Sequence, residues 1–363
     1  MKTRSILMAT LCSLMMGAGF ASCADEFDEW EQPDPDPLAK NMTYILNEGL
    51  WGANNASISS FFEIDGTPNV TANYYEVING QKMGDLANAM MQEDDNIYVV
   101  LNGSEYVAKL DLTTKEQARY SLSNPRCIDV EDDYVYVTQH GGIVSKLNIK
   151  DMSLVDTFEG GDNLEGIVEK DGKLYVANAW KDVNDFNEEI LVIDAKSMEK
   201  TNSISVALNP VTVKEIDNKI YVISQGNYLD VPATLQVINT QTNTSKVILN
   251  DVAKITEGHN GLIYGVKTIT DWSTNPASYV HTFFTYNPSN GTMSDTSFLK
   301  DSPSTLSSTA IYLLEVDKEN GIIYVGTSDY TNTGTIYQFD QTGKLIRQFD
   351  SGGINPSAMI FID

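Results

Sequence analysis

Residues 97–112 read IYVVLNGSEYVAKLDL, a short strand centred on Tyr98, a polar turn, and a second strand ending beside Asp111. The same pattern recurs along the chain: TYILNEGLWGANNASISSFFEID at 43–65, VYVTQHGGIVSKLNI at 135–149, LYVANAWKDVNDFNEEILVID at 174–194, IYVISQGNYLDVPATLQVIN at 220–239, IYGVKTITDWSTNPASYVHTFFTYN at 263–287 and IYVGTSDYTNTGTIYQFD at 323–340. Tyr44, Tyr98, Tyr136, Tyr175, Tyr221, Tyr264 and Tyr324 mark the units, at intervals of 54, 38, 39, 46, 43 and 60 residues. A β-rich repeat of about 40–50 residues is the spacing of a propeller blade, a sheet of four strands. Each unit begins with an inner strand after an Asn-Pro or Gly-rich corner, as in NPRCIDVEDD (124–133), GDNLEGIVEKDG (161–172) and NPVTVKEIDN (209–218). A tight polar turn, the tyrosine strand, a variable loop, the Asp- or Asn-ended strand and an outer strand then follow.

The two ends of the repeat complement each other. Asn355–Asp363 (NPSAMIFID) reads as an inner strand with no tyrosine strand after it, and 41–47 is a tyrosine strand with no inner strand before it. Pairing them completes one blade and removes two exposed sheet edges. The expected fold is an all-β, seven-bladed propeller over 41–363, closed by pairing of its N- and C-terminal strands. The long intervals are expected to hold long loops; six or eight blades are the alternatives.

Upstream of the repeat, Lys2 and Arg4 precede an apolar run from Ile6 to Phe20, too short for a mature membrane span. It ends in Phe20-Ala21-Ser22-Cys23, similar to a relaxed bacterial lipobox. This predicts a signal peptide at 1–22 and lipidation of Cys23; cleavage near Ala24 by an ordinary signal peptidase is the alternative. Residues 23–40 are acidic and Pro-rich, a composition that cannot build a core and reads as a tether. The formal net charge of −26 opposes nucleic acid as a partner. Cys127, the cysteine left after cleavage, sits in a strand pattern without a partner and is expected to be a buried structural residue.

The variable loops after the tyrosine strands share one face with the connections between blades. In order they carry Trp51, Tyr106, His140, Trp180, Tyr228, Trp272 and Tyr330, including three of the four tryptophans. Clustered exposed rings mark a binding face; the alternative for each ring is packing on its neighbouring loop. Carboxamides end many of the tyrosine strands: Asn47, Asn102, Gln139, Asn178 and Gln225, expected around the channel mouth, where they both donate and accept. Charged residues placed on this face include Glu48, Asp329 and, on an adjoining connection, Arg126. The segment DVNDFNEE (182–189) is rich in oxygen ligands but lacks the glycine and spacing of a calcium loop.

No GxSxG, HExxH, CxxC or phosphate-loop motif is present. His140 and His281 lie on the loop face and His259 on the opposite one, too few for a multi-histidine centre. The expectation is a protein with no catalytic residues, no resident metal and no catalytic cofactor. The enzymatic alternative is a metal-dependent lactonase with Glu48, Asn102, Asn178 and Asp329 as ligands.

The stretch NEGLWGANNAS (47–57), the repeated IYV…NG units and the leader together resemble the YncE-like surface propellers of Bacteroidetes, and among them the BtuG-like cobalamin-binding lipoproteins. That resemblance implies a corrinoid held on the loop face and passed to a BtuB-like TonB-dependent transporter, with the protein anchored by lipid at the outer membrane and exposed at the cell surface. It carries binding and no turnover. On this reading the ligand contacts are expected among Trp51, Asn102, Tyr106, Arg126, His140, Asn178, Trp180, Gln225, Tyr228, Trp272 and Tyr330, with neither histidine required as an axial ligand of cobalt. A surface propeller binding a glycan or a protein within a nutrient-uptake complex is the competing expectation.

Overall fold

A computed structural model describes residues 42–64 and 66–362. Cys23 and the segments expected to be a signal peptide and a tether lie outside the described residues. The strands form seven four-stranded antiparallel sheets, and neighbouring sheets touch one another around a ring. Blade 1 is the closing blade: the C-terminal Pro356–Ile362 is its inner strand and pairs antiparallel with Met42–Asn47, Tyr44 opposite Ile360. The inner strands of blades 2 to 7 are Ala87–Glu93, Pro125–Glu131, Asn163–Lys170, Pro210–Ile216, Val252–Glu257 and Ala310–Val316. The two long repeat intervals hold the short helices Tyr74–Asn79 and Ser304–Ser308 rather than further blades.

The marker tyrosines are scaffold. All seven are buried, and each packs against the next blade. Tyr98 of blade 2 lies with Val135 and Val137 of blade 3; Tyr175 of blade 4 lies with Val213 and Val222 of blade 5; Tyr324 of blade 7 lies with Ile45 and Met359 of blade 1. Blade sheets are covered on both faces. Alternation therefore sends the tyrosine one way and its flanking Ile and Val residues the other, and the core divides into interfaces between successive blades.

Two features of the sheets shape the face that carries the loops after the tyrosine strands. First, every inner strand carries a register irregularity near its start, on the face where it leaves the connection from the preceding blade. A bulge re-aims side chains and ends regular pairing; here it turns Asn88, Arg126, Glu165, Lys254 and Tyr312 toward the central channel. Second, the hairpins of blades 4 and 6 are long. Lys173–Asp182 pairs with Asp185–Asp194, and Ile263–Asp271 with Ser278–Tyr286, against five to eight residues per strand in the other hairpins. The two raised hairpins flank blade 5. The oxygen-rich segment 182–189 is the tip and return strand of the first, and its Glu189 accepts from Asn178 and Ser203.

Candidate functional site

The channel mouth is a cavity of about 430 Å³ walled by the bulged starts of the inner strands, with Glu48 and Gln225 contributed from the ends of tyrosine strands. Its three carboxylates are each paired. Glu165 is nearly buried; Arg126 Nε donates to both its oxygens at 3.1 Å, and His140 Nε2 lies 2.9 Å from Oε1. Burial alone would raise the Glu165 carboxyl, but the hydrogen bond to His140 and the Arg126 charge outweigh it and hold the carboxyl below the usual range. Glu48 accepts from the Tyr312 hydroxyl and from Asn88 Nδ2, and burial pushes its carboxyl up. Glu315 accepts from Thr256 Oγ1 at 2.8 Å and faces Lys214 Nζ at 3.5 Å. Cys127 lines the same cavity beside Arg126; desolvation, with the Glu165 charge, raises its thiol to about 12, so it stays protonated and unreactive.

A second cavity of about 550 Å³ opens from this mouth over blades 5, 6 and 7, sharing Gln225, Ala253, Lys254 and Tyr312 with it. Tyr228, Trp272, Tyr279, Tyr312 and Tyr330 put five aromatic rings on its walls. Trp272 is 66 % exposed, Tyr228 51 % and Tyr330 48 %. Tyr228 and Tyr330 both have φ of +60°, a conformation that costs a bulky side chain of order 1–3 kcal/mol. The preceding Asx residue fixes each loop: Asn227 Oδ1 accepts from the backbone N–H of Leu229, Asp230 and Val231, and Asp329 Oδ1 from those of Thr331 and Asn332. The rings are braced as well, Tyr228 against Phe186 at 6.0 Å with its hydroxyl accepting from Asn209, and Tyr330 against Tyr312 at 5.8 Å. Strain held in this way presents rigid rings to a ligand and lowers the ordering cost of binding.

The structure sorts the residues singled out in the sequence. Gln225, Tyr228, Trp272 and Tyr330 meet in the second cavity, and Arg126 stands in the first. His140 and Trp180 pack edge to face at 5.3 Å on the blade 3 and 4 side, close to the Glu165 cluster. Trp51 lies outside both cavities and is 71 % exposed. Tyr106 does not reach the face: it starts a strand of blade 2, is buried, and its hydroxyl donates to Met83 O. The carboxamide ring also fails to form. Asn102 donates to Pro125 O at 3.1 Å, Asn178 to Glu189 Oε1 at 2.8 Å, Gln139 to Ser145 and Asn47 to Ser59, so these amides tie strand ends to neighbouring backbone and strands. Of the lactonase ligand set only Glu48 lines the channel mouth, and no group of three or more His, Cys, Asp or Glu able to hold a metal ion occurs among the described residues. The ring nitrogens of His281 are both engaged, by Thr268 and Thr309 O.

Glu165, Lys254, Tyr312 and Tyr279 were not anticipated as site residues. The first three share a signal, a polar or aromatic residue within the first few positions of an inner strand. The paired Tyr228 and Tyr330 share another, an Asx-Tyr dipeptide just past the tyrosine strand.

Several solved propellers share the architecture. A quinoprotein alcohol dehydrogenase-like protein from Bacteroides thetaiotaomicron superposes with a TM-score of 0.65 at 14 % identity, covering 90 % of this chain and 79 % of that one. A hypothetical selenium-binding protein from Sulfolobus tokodaii gives 0.62 at 10 %, covering 89 % and 93 %, and the hydrazine synthase of Kuenenia stuttgartiensis gives 0.55 at 16 %, covering 68 % and 74 %. At these identities the likeness is one of fold. No curated protein sequence matches the chain. A family model does match, over residues 41–361, and by it the chain belongs to the family described as a domain of unknown function, DUF5074.

Proposed function

We propose that this propeller is a non-catalytic binder of a broad, planar-bodied ligand of the corrinoid class, held across blades 5 to 7 and passed to a TonB-dependent outer-membrane transporter, with the protein anchored at the cell surface through Cys23. The observation that carries the binding reading is the pair of joined cavities, five aromatic rings beside a charged channel mouth. Sites for organic ligands are concave, largely preformed and mostly apolar, with a few fixed polar groups. A corrin offers an apolar macrocycle for the rings and amide arms for Gln225 and the polar mouth. The corrinoid identity, the lipid anchor and the transporter come from the resemblance of the repeat and leader. The purified propeller is incubated with cyanocobalamin and desalted: a red protein fraction is expected, and a colourless one refutes the corrinoid reading.

A second reading is a surface module for a glycan or a protein of an uptake complex. Trp51 and Val183 favour it, because both are strongly exposed on loop-face tips outside the two cavities. Loss of glycan or partner capture on Trp51→Ala, with cyanocobalamin retention unchanged, separates the two surfaces.

A further inference from the structure

Lys254 stands at the bulge of the blade 6 inner strand and lines both cavities where they join. Among the described residues its ammonium makes no hydrogen bond and no ion pair; its nearest marked contact is the Tyr312 ring, whose centroid lies 5.5 Å from Nζ. The carboxylates around it have other donors. Glu48 takes the Tyr312 hydroxyl and Asn88, Glu315 takes Thr256 and Lys214, and Glu165 takes Arg126 and His140. The mouth therefore holds three acids with partners and one cation without. Lys254 is partly buried, so its charge is only partly screened by water and stays available to a ligand group that enters the cavity. Burial and the Lys214 charge lower this ammonium to about 8, which leaves it mainly charged at neutral pH.

Accepting the aromatic cavity as a ligand site, we propose that Lys254 is the counter-charge for an anionic oxygen group, phosphoryl or carboxylate, on a ligand whose apolar body stacks against Tyr312 and the rings of blades 5 to 7. Binding brings the oxyanion to Nζ at the junction of the cavities and supplies the charged partner that no protein group provides. The overall charge of −26 works against anions at long range, so selectivity for one has to come from this local contact.

Two fluorescent probes of similar shape separate the ring surface from the charge: anilinonaphthalene sulfonate, an anion, and phenylnaphthylamine, which is neutral. Both are expected to bind the full chain. Lys254→Met is expected to weaken the anionic probe at least tenfold and leave the neutral one unchanged, and Lys254→Arg to keep both. Thermal unfolding of each variant checks that the propeller is intact, and Lys254→Gln, polar but neutral and expected to weaken the anionic probe as the methionine variant does, keeps the test decisive where the methionine variant loses stability. Phosphate and acetate are then used as competitors of the anionic probe, the stronger competitor naming the oxyanion. Equal affinity of Lys254→Met and the parent for the anionic probe, with the neutral probe still bound, overturns the role of Lys254 alone. Absence of binding by either probe overturns the ring surface as a ligand site, and this proposal with it.

Discussion

Glu165→Gln is the sharpest perturbation of the channel mouth. The substitution keeps the shape of the side chain and an acceptor for His140, but removes the charge that Arg126 Nε meets with two 3.1 Å contacts. Side-chain exposure is 8 % for Glu165 and 22 % for Arg126, so water replaces little of what is lost. Removing one partner of a buried ion pair costs about 3–5 kcal/mol, because the other is left buried and uncompensated. The partial exposure of Arg126 sets the expectation at the low end, about 3 kcal/mol. With an unfolding entropy of about 2 cal/mol/K per residue over a propeller of roughly 320 residues, this is a drop of about 4–5 °C in Tm. Arg126→Met alone should cost a similar amount, whereas Arg126→Met with Glu165→Met should recover most of it, since an apolar pair of similar volume often equals a buried ion pair. The pH dependence has a defined sign. The folded-state carboxyl of Glu165 lies below its unfolded value, so its contribution is present above the ordinary carboxylate range and is lost as pH falls through the folded value. Calorimetry and urea titration at several pH values measure all of this. A loss under 0.5 kcal/mol for Glu165→Gln, or a double variant weaker than the sum of the singles, would refute the account of a buried, mutually dependent pair.

Three further outcomes are expected. Tyr98→Phe should be neutral or stabilising in urea titration, because the Tyr98 hydroxyl is buried without a hydrogen-bond partner, while Tyr44→Phe should lose about 1 kcal/mol with its 2.8 Å bond to Leu112 O; equal effects would contradict this. Desolvation lifts the Asp129 carboxyl to about 7 although the backbone N–H of Glu169 donates to it, so the folded state gains a proton that the unfolded state releases, and stability should fall as pH rises from about 4 to 7. Asp129→Asn, which retains an acceptor, should flatten that slope by about 2 kcal/mol, allowing for solvent screening at this half-buried group; an unchanged slope counts against the shift. Trp272→Ala and Tyr330→Ala should each weaken cyanocobalamin binding tenfold or more at unchanged Tm, while Tyr106→Ala should unfold the protein at lower temperature through loss of a buried ring worth about 3–5 kcal/mol. Titration and calorimetry on the same samples distinguish the two effects.

Some of the loop face was legible in the sequence. Trp272, Tyr228 and Tyr330 are exposed rings at equivalent loop positions, and the repeat places such positions on one face whatever their neighbours. Tyr106 departs from the loop face for a local reason. Its loop, 102–105, is too short to hold a side chain out, so the ring begins the next strand and turns into the core. The amides at strand ends depart from the expected ring for a more general one. A carboxamide next to backbone leaving a sheet is drawn into satisfying that backbone, as Asn102 and Asn178 are, before a ligand can use it.

The sequence by itself determined the architecture. Seven strands with tyrosine on one face and Val or Ile on the other form blades that must be covered on both sides, and two incomplete ends complete a single blade. That information is periodic and local, so a linear reading recovers it. Only the tertiary structure decided the site. The bulges that turn Arg126, Glu165, Lys254 and Tyr312 inward depend on strand pairing, and their meeting depends on closing the ring, which brings residues from all seven blades around one channel mouth. Which charges find partners there, and that Lys254 finds none, is set by distances between blades that no spacing along the chain contains.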